Sequence, residues 1–173
     1  MANTLDAADL LLKFLNTLDV EQGTDELSTA SALRSWLAEQ GLLGRTARVS
    51  REDLTLALGL RGELRAALGD PAAPRPSRSV LAALPLTVVL DQDGQPRLEA
   101  TGTGARGALG AIAEAVAAAQ ANGSWERLKV CPAENCSWAF YDASKNRSRQ
   151  WCTMGICGNR NKTRAYRARQ RTA

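Results

Sequence analysis

The chain has 173 residues, 45% of them hydrophobic and 23% charged, which suits a soluble medium domain joined to a small one. Its net charge of +4 conceals an asymmetry: residues 125–173 carry eleven Lys/Arg against three acids, whereas residues 1–124 carry eleven Lys/Arg against fifteen acids. A basic end on a mildly acidic body places any polyanion contact at the C-terminus, and no run approaches the ~18 apolar residues of a membrane span, so no membrane partner is expected.

The opening residues Met1 to Asp9 include two acids and no basic, apolar export signal. A cytoplasmic location is expected, where thiols stay reduced and paired cysteines favour metal over disulfide. Leu10, Leu11, Phe14, Leu15 and Leu18 recur at near-helical spacing and predict a helix over 5–18. After the polar turn 21–25, a second helix is predicted from Ser28 or Thr29 through Leu33, Trp36 and Leu37, stopping at Gly41. Ser50-Arg51-Glu52-Asp53 resembles a capping box opening a third helix, with a break expected near Gly59 and Gly62.

Residues 70–77 are a proline-rich connector. Leu84 to Leu90 is the best strand candidate, and Asp91-Gln92-Asp93-Gly94 turns it toward a partner strand at 96–101. A helix over 104–121 would cover this hairpin, and Asn122-Gly123 ends it. The fold class expected is α+β: a helix-rich N-terminal domain with a small β-hairpin at 1–122, able to fold alone, then a small four-cysteine zinc finger with a basic C-terminal helix at 123–173. Asn16, Thr17, Trp36 and Asp53 are candidate lining residues for a ligand pocket in the body, although each residue type there is more often a cap or core residue.

All four cysteines lie in the basic part, as Cys131-x4-Cys136, fifteen residues, then Cys152-x4-Cys157. Two such pairs can wrap one tetrahedral Zn²⁺, and with no histidine in the chain a protein-only site would use all four thiolates. Four thiolates also suit an iron–sulfur cluster, and paired cysteines can be redox-active; colour in the purified protein separates cluster from zinc. Trp138, Phe140, Tyr141 and Trp151 fall between the first and last cysteine, where they can pack around a metal or stack on bases.

Residues 160–171 hold six Lys/Arg and no acid. On a helix Arg160, Arg164, Arg167 and Arg171 fall within about 60° of one another as an arginine stripe. Asn161, Ala165 and Ala168 form a neighbouring small-residue face, while Lys162 and Arg169 lie on the far side with Tyr166. Starting directly after a ligating cysteine, this helix is anchored and is a candidate for phosphate contact. Lys145, Arg147 and Arg149 in the loop between the cysteine pairs form a second basic cluster, as consistent with a solvated loop as with phosphate. Asn159 and Arg160 are candidates for base edges in a major groove.

Trp151-Cys152-Thr153-Met154-Gly155-Ile156-Cys157-Gly158-Asn159-Arg160-Asn161-Lys162 resembles the signature of the CGNR zinc finger family, and Cys131 to Cys136 and Phe140 to Ser144 fit the same pattern. The resemblance implies one structural zinc on Cys131, Cys136, Cys152 and Cys157 and a DNA-binding role. The body is similar to the ABATE domain that commonly precedes such a finger, in Phe14 to Leu18, Trp36-Leu37 and the hairpin before the last body helix. That likeness implies a regulatory or sensing domain connected with stress-induced transcription. The reading is a zinc-dependent, DNA-binding transcription regulator whose partners are double-stranded DNA, a small-molecule effector at the body and a second copy as homodimer. The alternative is a zinc-stabilised protein- or RNA-interaction module. An enzyme ranks below both, since the chain has no histidine base and no phosphate loop.

Overall fold

The computed structural model describes residues 4–73 and 78–171; the connector residues 74–77 lie outside the described residues, as do the side chains of residues 4–6, 78, 79, 165, 168 and 171. Helix α1 (Thr4–Leu15) leads into a short hairpin, β1 (Leu18–Asp19) with β2 (Thr24–Asp25). Helices α2 (Ala30–Glu39), α3 (Arg51–Ala67) and the short α4 (Arg78–Ala82) follow. A second hairpin, β3 (Leu86–Leu90) with β4 (Pro96–Ala100), is backed by α5 (Gly104–Ala121). A third, β5 (Leu128–Val130) with β6 (Ala139–Tyr141), opens the cysteine segment, and α6 (Asn159–Arg171) closes the chain.

Helix α1 stops at Leu15, earlier than its apolar spacing predicts. The two next residues have other partners. Thr17 is buried, with its hydroxyl donating 2.7 Å to the Phe14 carbonyl, and the Asn16 side chain reaches out from the helix end to bond Ala139. The turn expected at 21–25 is the tip of the β1–β2 hairpin. Thr29 caps α2 by accepting 3.1 Å from the Ala32 amide. Ser50 and Asp53 form a full capping box on α3.

Helix α3 runs unbroken through Gly59 and Gly62, contrary to the expected break. At Gly59 an added Cβ would lie 3.0 Å from Val80 Cγ2, so the glycine makes room for α4. Burial of Leu60, Leu64, Arg61 and Arg65 on the same helix holds it against the glycine penalty of about 1 kcal/mol per residue. The small helix α4 has no counterpart in the sequence pattern.

The core is built from Leu11, Phe14 and Leu15 of α1, Leu33 and Leu37 of α2, Leu60 of α3, and Leu109 and Ile112 of α5, all 0% exposed. Each such side chain contributes about 1.5–3 kcal/mol on burial. Phe14 and Trp36 meet tilted, with ring centroids 5.5 Å apart. Buried alanines 108, 115 and 119 on α5 leave space for α1 to lie along it. Gly110 does the same for β4, where an added Cβ would come 2.8 Å from Ala100 Cβ.

The core continues past residue 122. Leu128, Val130 and Ala139, from the β5–β6 hairpin, belong to the same apolar cluster as Leu11 and Phe14. Polar contacts cross with them: Asn16 donates 2.9 Å to the Ala139 carbonyl and accepts 2.8 Å from its amide, completing an edge of β6. Arg65, 2% exposed, donates 2.7 Å to Asp70 Oδ2, 2.9 Å to the Leu15 carbonyl and 2.7 Å to the Ser137 carbonyl. Ser137 in turn donates 3.0 Å to Asp70 Oδ1. One buried guanidinium thus ties α1, the end of α3 and the cysteine segment together.

Arg65→Met keeps most of the volume but strands the Asp70 carboxylate without its cation. Losing one partner of a buried pair typically costs about 3–5 kcal/mol. Urea unfolding of the intact protein should show a loss in that range; a loss below about 1 kcal/mol would mean that Arg65 is not the junction's anchor.

Candidate metal centre and basic helix

Each cysteine pair is shaped by a local turn. In the first, the Cys131 amide donates 2.9 Å to the Trp138 carbonyl and the Cys136 amide 3.0 Å to the Ala133 carbonyl, which folds the loop back on itself. The chain leaves Cys136 through Ser137 at φ 49, a left-handed conformation uncommon for a residue with a side chain. Both polar groups that hold Ser137 there, Arg65 and Asp70, come from the body. In the second pair, Met154–Gly158 forms a π-helical turn in which the Cys157 and Gly158 amides share the Thr153 carbonyl at 3.0 and 3.3 Å. At Gly158 an added Cβ would sit 2.5 Å from Met154 Sδ and 3.3 Å from Trp151 Cδ1, so a side chain there would have to push the exposed Met154 thioether aside.

The two turns bring Cys131, Cys136, Cys152 and Cys157 together, with all four sulfurs within 4.8 Å of one another. Cys136 Sγ lies 3.5 Å from Cys152 Sγ, which is 3.6 Å from Cys157 Sγ. Four thiolates on a tetrahedral Zn²⁺ at about 2.3 Å would stand about 3.8 Å apart, so the donor set fits the ion. Burial pushes the Cys157 thiol up to about 11 and raises Cys136 as well, whereas at Cys131 burial is outweighed by hydrogen bonds, which lower the thiol. A dication among them supplies the missing positive charge. Cys131, Cys136 and Cys157 are buried and Cys152 is half-buried.

Around the sulfurs, buried Phe140 and partly buried Trp151 pack as a cover. Tyr141 packs on the body's core instead, and Trp138 is 38% exposed. The aromatics are thus divided between metal cover, body core and surface. The loop between the pairs is organised by Asp142, which is 0% exposed. It accepts from Lys129 Nζ at 2.6 Å, Ser144 Oγ at 2.6 Å, and the Ser144 and Arg149 amides, each at 2.9 Å. Burial alone would raise this carboxyl's pKa; the donors, Lys129 first, outweigh it and hold the group well below the usual carboxylate range. Asp142 and Lys129 were not among the candidate residues, though an Asp two residues before a Ser is the signature of the turn seen here.

The basic candidates divide by what holds them. Arg149 lies over the Phe140 ring at 5.0 Å and donates to the Trp151 and Cys152 carbonyls, so its guanidinium braces the metal site. Arg147 pairs with Glu126. Lys145 sits in the turn before it. Asn159 donates 3.1 Å back to the Gly155 carbonyl, locking the π turn to α6. Arg160 pairs with Glu21 of the body at 2.7 Å, and Arg164 pairs with Glu134. The Glu21 carboxylate, by hydrogen bond first and charge second, raises the Arg160 pKa.

Arg160, Arg164 and Arg167 share one exposed groove with Gly155, Ile156, Asn159 and Thr163. Lys162 and Arg169 are exposed elsewhere on α6. The Arg171 candidate lies outside the described side chains. In the body, Asn16 and Trp36 border a surface hollow with Trp138, Lys13, Glu26 and Glu39. Thr17 is hydrogen-bonded inside the core and Asp53 caps α3, so the four candidates do not form one pocket.

A thiolate knuckle carrying a helix, beneath a helical body, defines the class: a small zinc finger built onto a larger domain. The family model described as CGNR zinc finger matches residues 127–170, and the one described as Putative stress-induced transcription regulator, ABATE, matches residues 8–123. The chain belongs to the ABATE family and carries a C-terminal CGNR zinc finger whose four cysteines lie close enough to hold one zinc ion. Comparison with curated proteins gives no match. No helix among the described residues is long and apolar enough to cross a membrane.

Elemental analysis of the purified protein should find one zinc per chain. Cys152→Ser should lose the metal and open the segment around α6, while β5–β6 stays protected from amide exchange because the body holds it. Iron in place of zinc, or full zinc retention in Cys152→Ser, would contradict the four-thiolate site.

Proposed function

We propose that the protein is a zinc-dependent regulator of transcription that acts in the cytoplasm by binding double-stranded DNA through α6. The observation that carries this reading is the groove of Arg160, Arg164 and Arg167 on a helix fixed at its first turn by Cys157. A guanidinium fork matches phosphate oxygens, and three along one helix face can follow a phosphate strand. Ile156, 50% exposed in the π turn, puts apolar atoms at the end of this groove where a thymine methyl could be met. Zinc is structural here: it fixes the turn from which the helix departs. The ABATE body would carry the regulatory input, as a stress signal or a small-molecule effector. Both family descriptions concern regulation and zinc binding, in keeping with a role without catalysis.

Anisotropy titrations of the intact protein against duplex DNA and single-stranded RNA at several salt concentrations test this. With about five phosphates neutralised, the slope of log K against log salt should be about −4.5 on duplex DNA. Arg164→Gln with Arg167→Gln should flatten it by about 2 and weaken all duplexes alike. Absent or salt-insensitive duplex binding, or tighter binding to RNA, would replace this reading with the interaction-module one.

A further inference from the structure

One contact joins the arginine groove to the body across 139 residues: Arg160 Nη1 to Glu21 Oε1, at 2.7 Å. Glu21 is a fold-positioned charge. It stands at the tip of the β1–β2 hairpin, whose turn is closed by the Gln22 amide on Asp19 Oδ1 and by Gly23 at φ 67. The hairpin is pinned by Asp25, which takes both Arg61 Nη atoms at 2.8 and 2.6 Å. Arg61 is itself buried and also donates 2.8 Å to Thr17 Oγ1. Asp19 and Glu21 face Cys136, Cys152, Thr153 and Ile156 across a cleft of about 200 Å³, so the acidic tip looks onto the metal centre and the start of α6.

A carboxylate on a guanidinium is the same recognition as a phosphate on a guanidinium, with bonds in the same fork. We propose that Glu21 is a latch on the basic helix: it occupies the phosphate place on Arg160, so the body and the nucleic acid compete for one guanidinium. This rests on the duplex-binding reading of α6. By linkage, whatever displaces the β1–β2 hairpin raises the helix's affinity for a polyanion, and a bound polyanion loosens the hairpin equally. Glu134 on Arg164 differs in kind, because it belongs to the finger and moves with it. Glu21 belongs to the body, so it carries information from there.

The test compares Glu21→Gln with Glu39→Gln, which changes the net charge equally from an exposed position on α2. Intact, zinc-loaded protein is titrated with duplex DNA across a salt series. Freeing an exposed pair should make Glu21→Gln bind about twofold to fivefold tighter than Glu39→Gln. Its salt slope should steepen by about one phosphate. In an Arg160→Gln background the same Glu21→Gln change should have no effect. Equal affinities for Glu21→Gln and Glu39→Gln, with the unsubstituted protein binding normally, would overturn the latch and leave the DNA reading standing. A Glu21→Gln effect that persists without Arg160 would also overturn it. Absence of duplex binding by every chain would remove the DNA reading and the latch with it.

Discussion

The Arg65 guanidinium is the interaction around which the two parts of this protein are organised. It is nearly inaccessible to water, and its hydrogen bonds end on three pieces of chain: Leu15 and Leu18 where α1 passes into β1, Asp70 beyond α3, and Ser137 beside the metal centre. A buried cation tolerates such a place only when its charge and donors are satisfied. Asp70 supplies the charge, and the carbonyls of Leu15, Leu18 and Ser137 take the other donors. Because Ser137 sits in a strained conformation next to Cys136, the same network that closes the body also sets the exit of the first cysteine turn. The finger is held at its root by the body.

This changes how the domain boundary should be understood. Composition and the Asn122-Gly123 stop point to a junction there, and the two family matches part company between 123 and 127. Packing does not part there, since Leu128, Val130 and Ala139 lie in the body's core. Residues 1–122 alone would leave that side of the core uncovered. The β5–β6 hairpin works as a shared element, with Asn16 and Leu128 on the body side and Cys131 and Phe140 on the metal side.

What was legible in the sequence followed local rules. Capping residues Thr29 and Ser50, the apolar face of α1, the β3–β4 turn and the full extent of α5 could all be placed from neighbours within a few positions. So could the cysteine cluster, since its spacing and the CGNR signature are contiguous. The misses are side-chain contacts that no local pattern announces, near or far along the chain. Glycines 59 and 62 read as a break because the packing of Val80 over Gly59 was invisible. Arg149 and Asn159 read as nucleic-acid candidates by residue type, and residue type does not reveal their contacts within the chain, with Phe140 and two nearby carbonyls for Arg149 and the Gly155 carbonyl for Asn159. Arg65 and Arg61 had no signal at all: an arginine on an amphipathic helix is usually solvated, and it takes Asp70 past the helix end and the distant Asp25 to make them internal.

If α6 binds duplex DNA as proposed, the metal is a condition for it: zinc held by the four cysteines would close the π turn from which α6 departs with its arginines. Duplex binding measured before and after zinc removal by a chelator, with helical content followed in parallel, tests that chain most directly. The account predicts that duplex binding is lost with the metal while the helical body remains folded, and that it returns when zinc is restored. Undiminished duplex binding by the metal-free protein would contradict it.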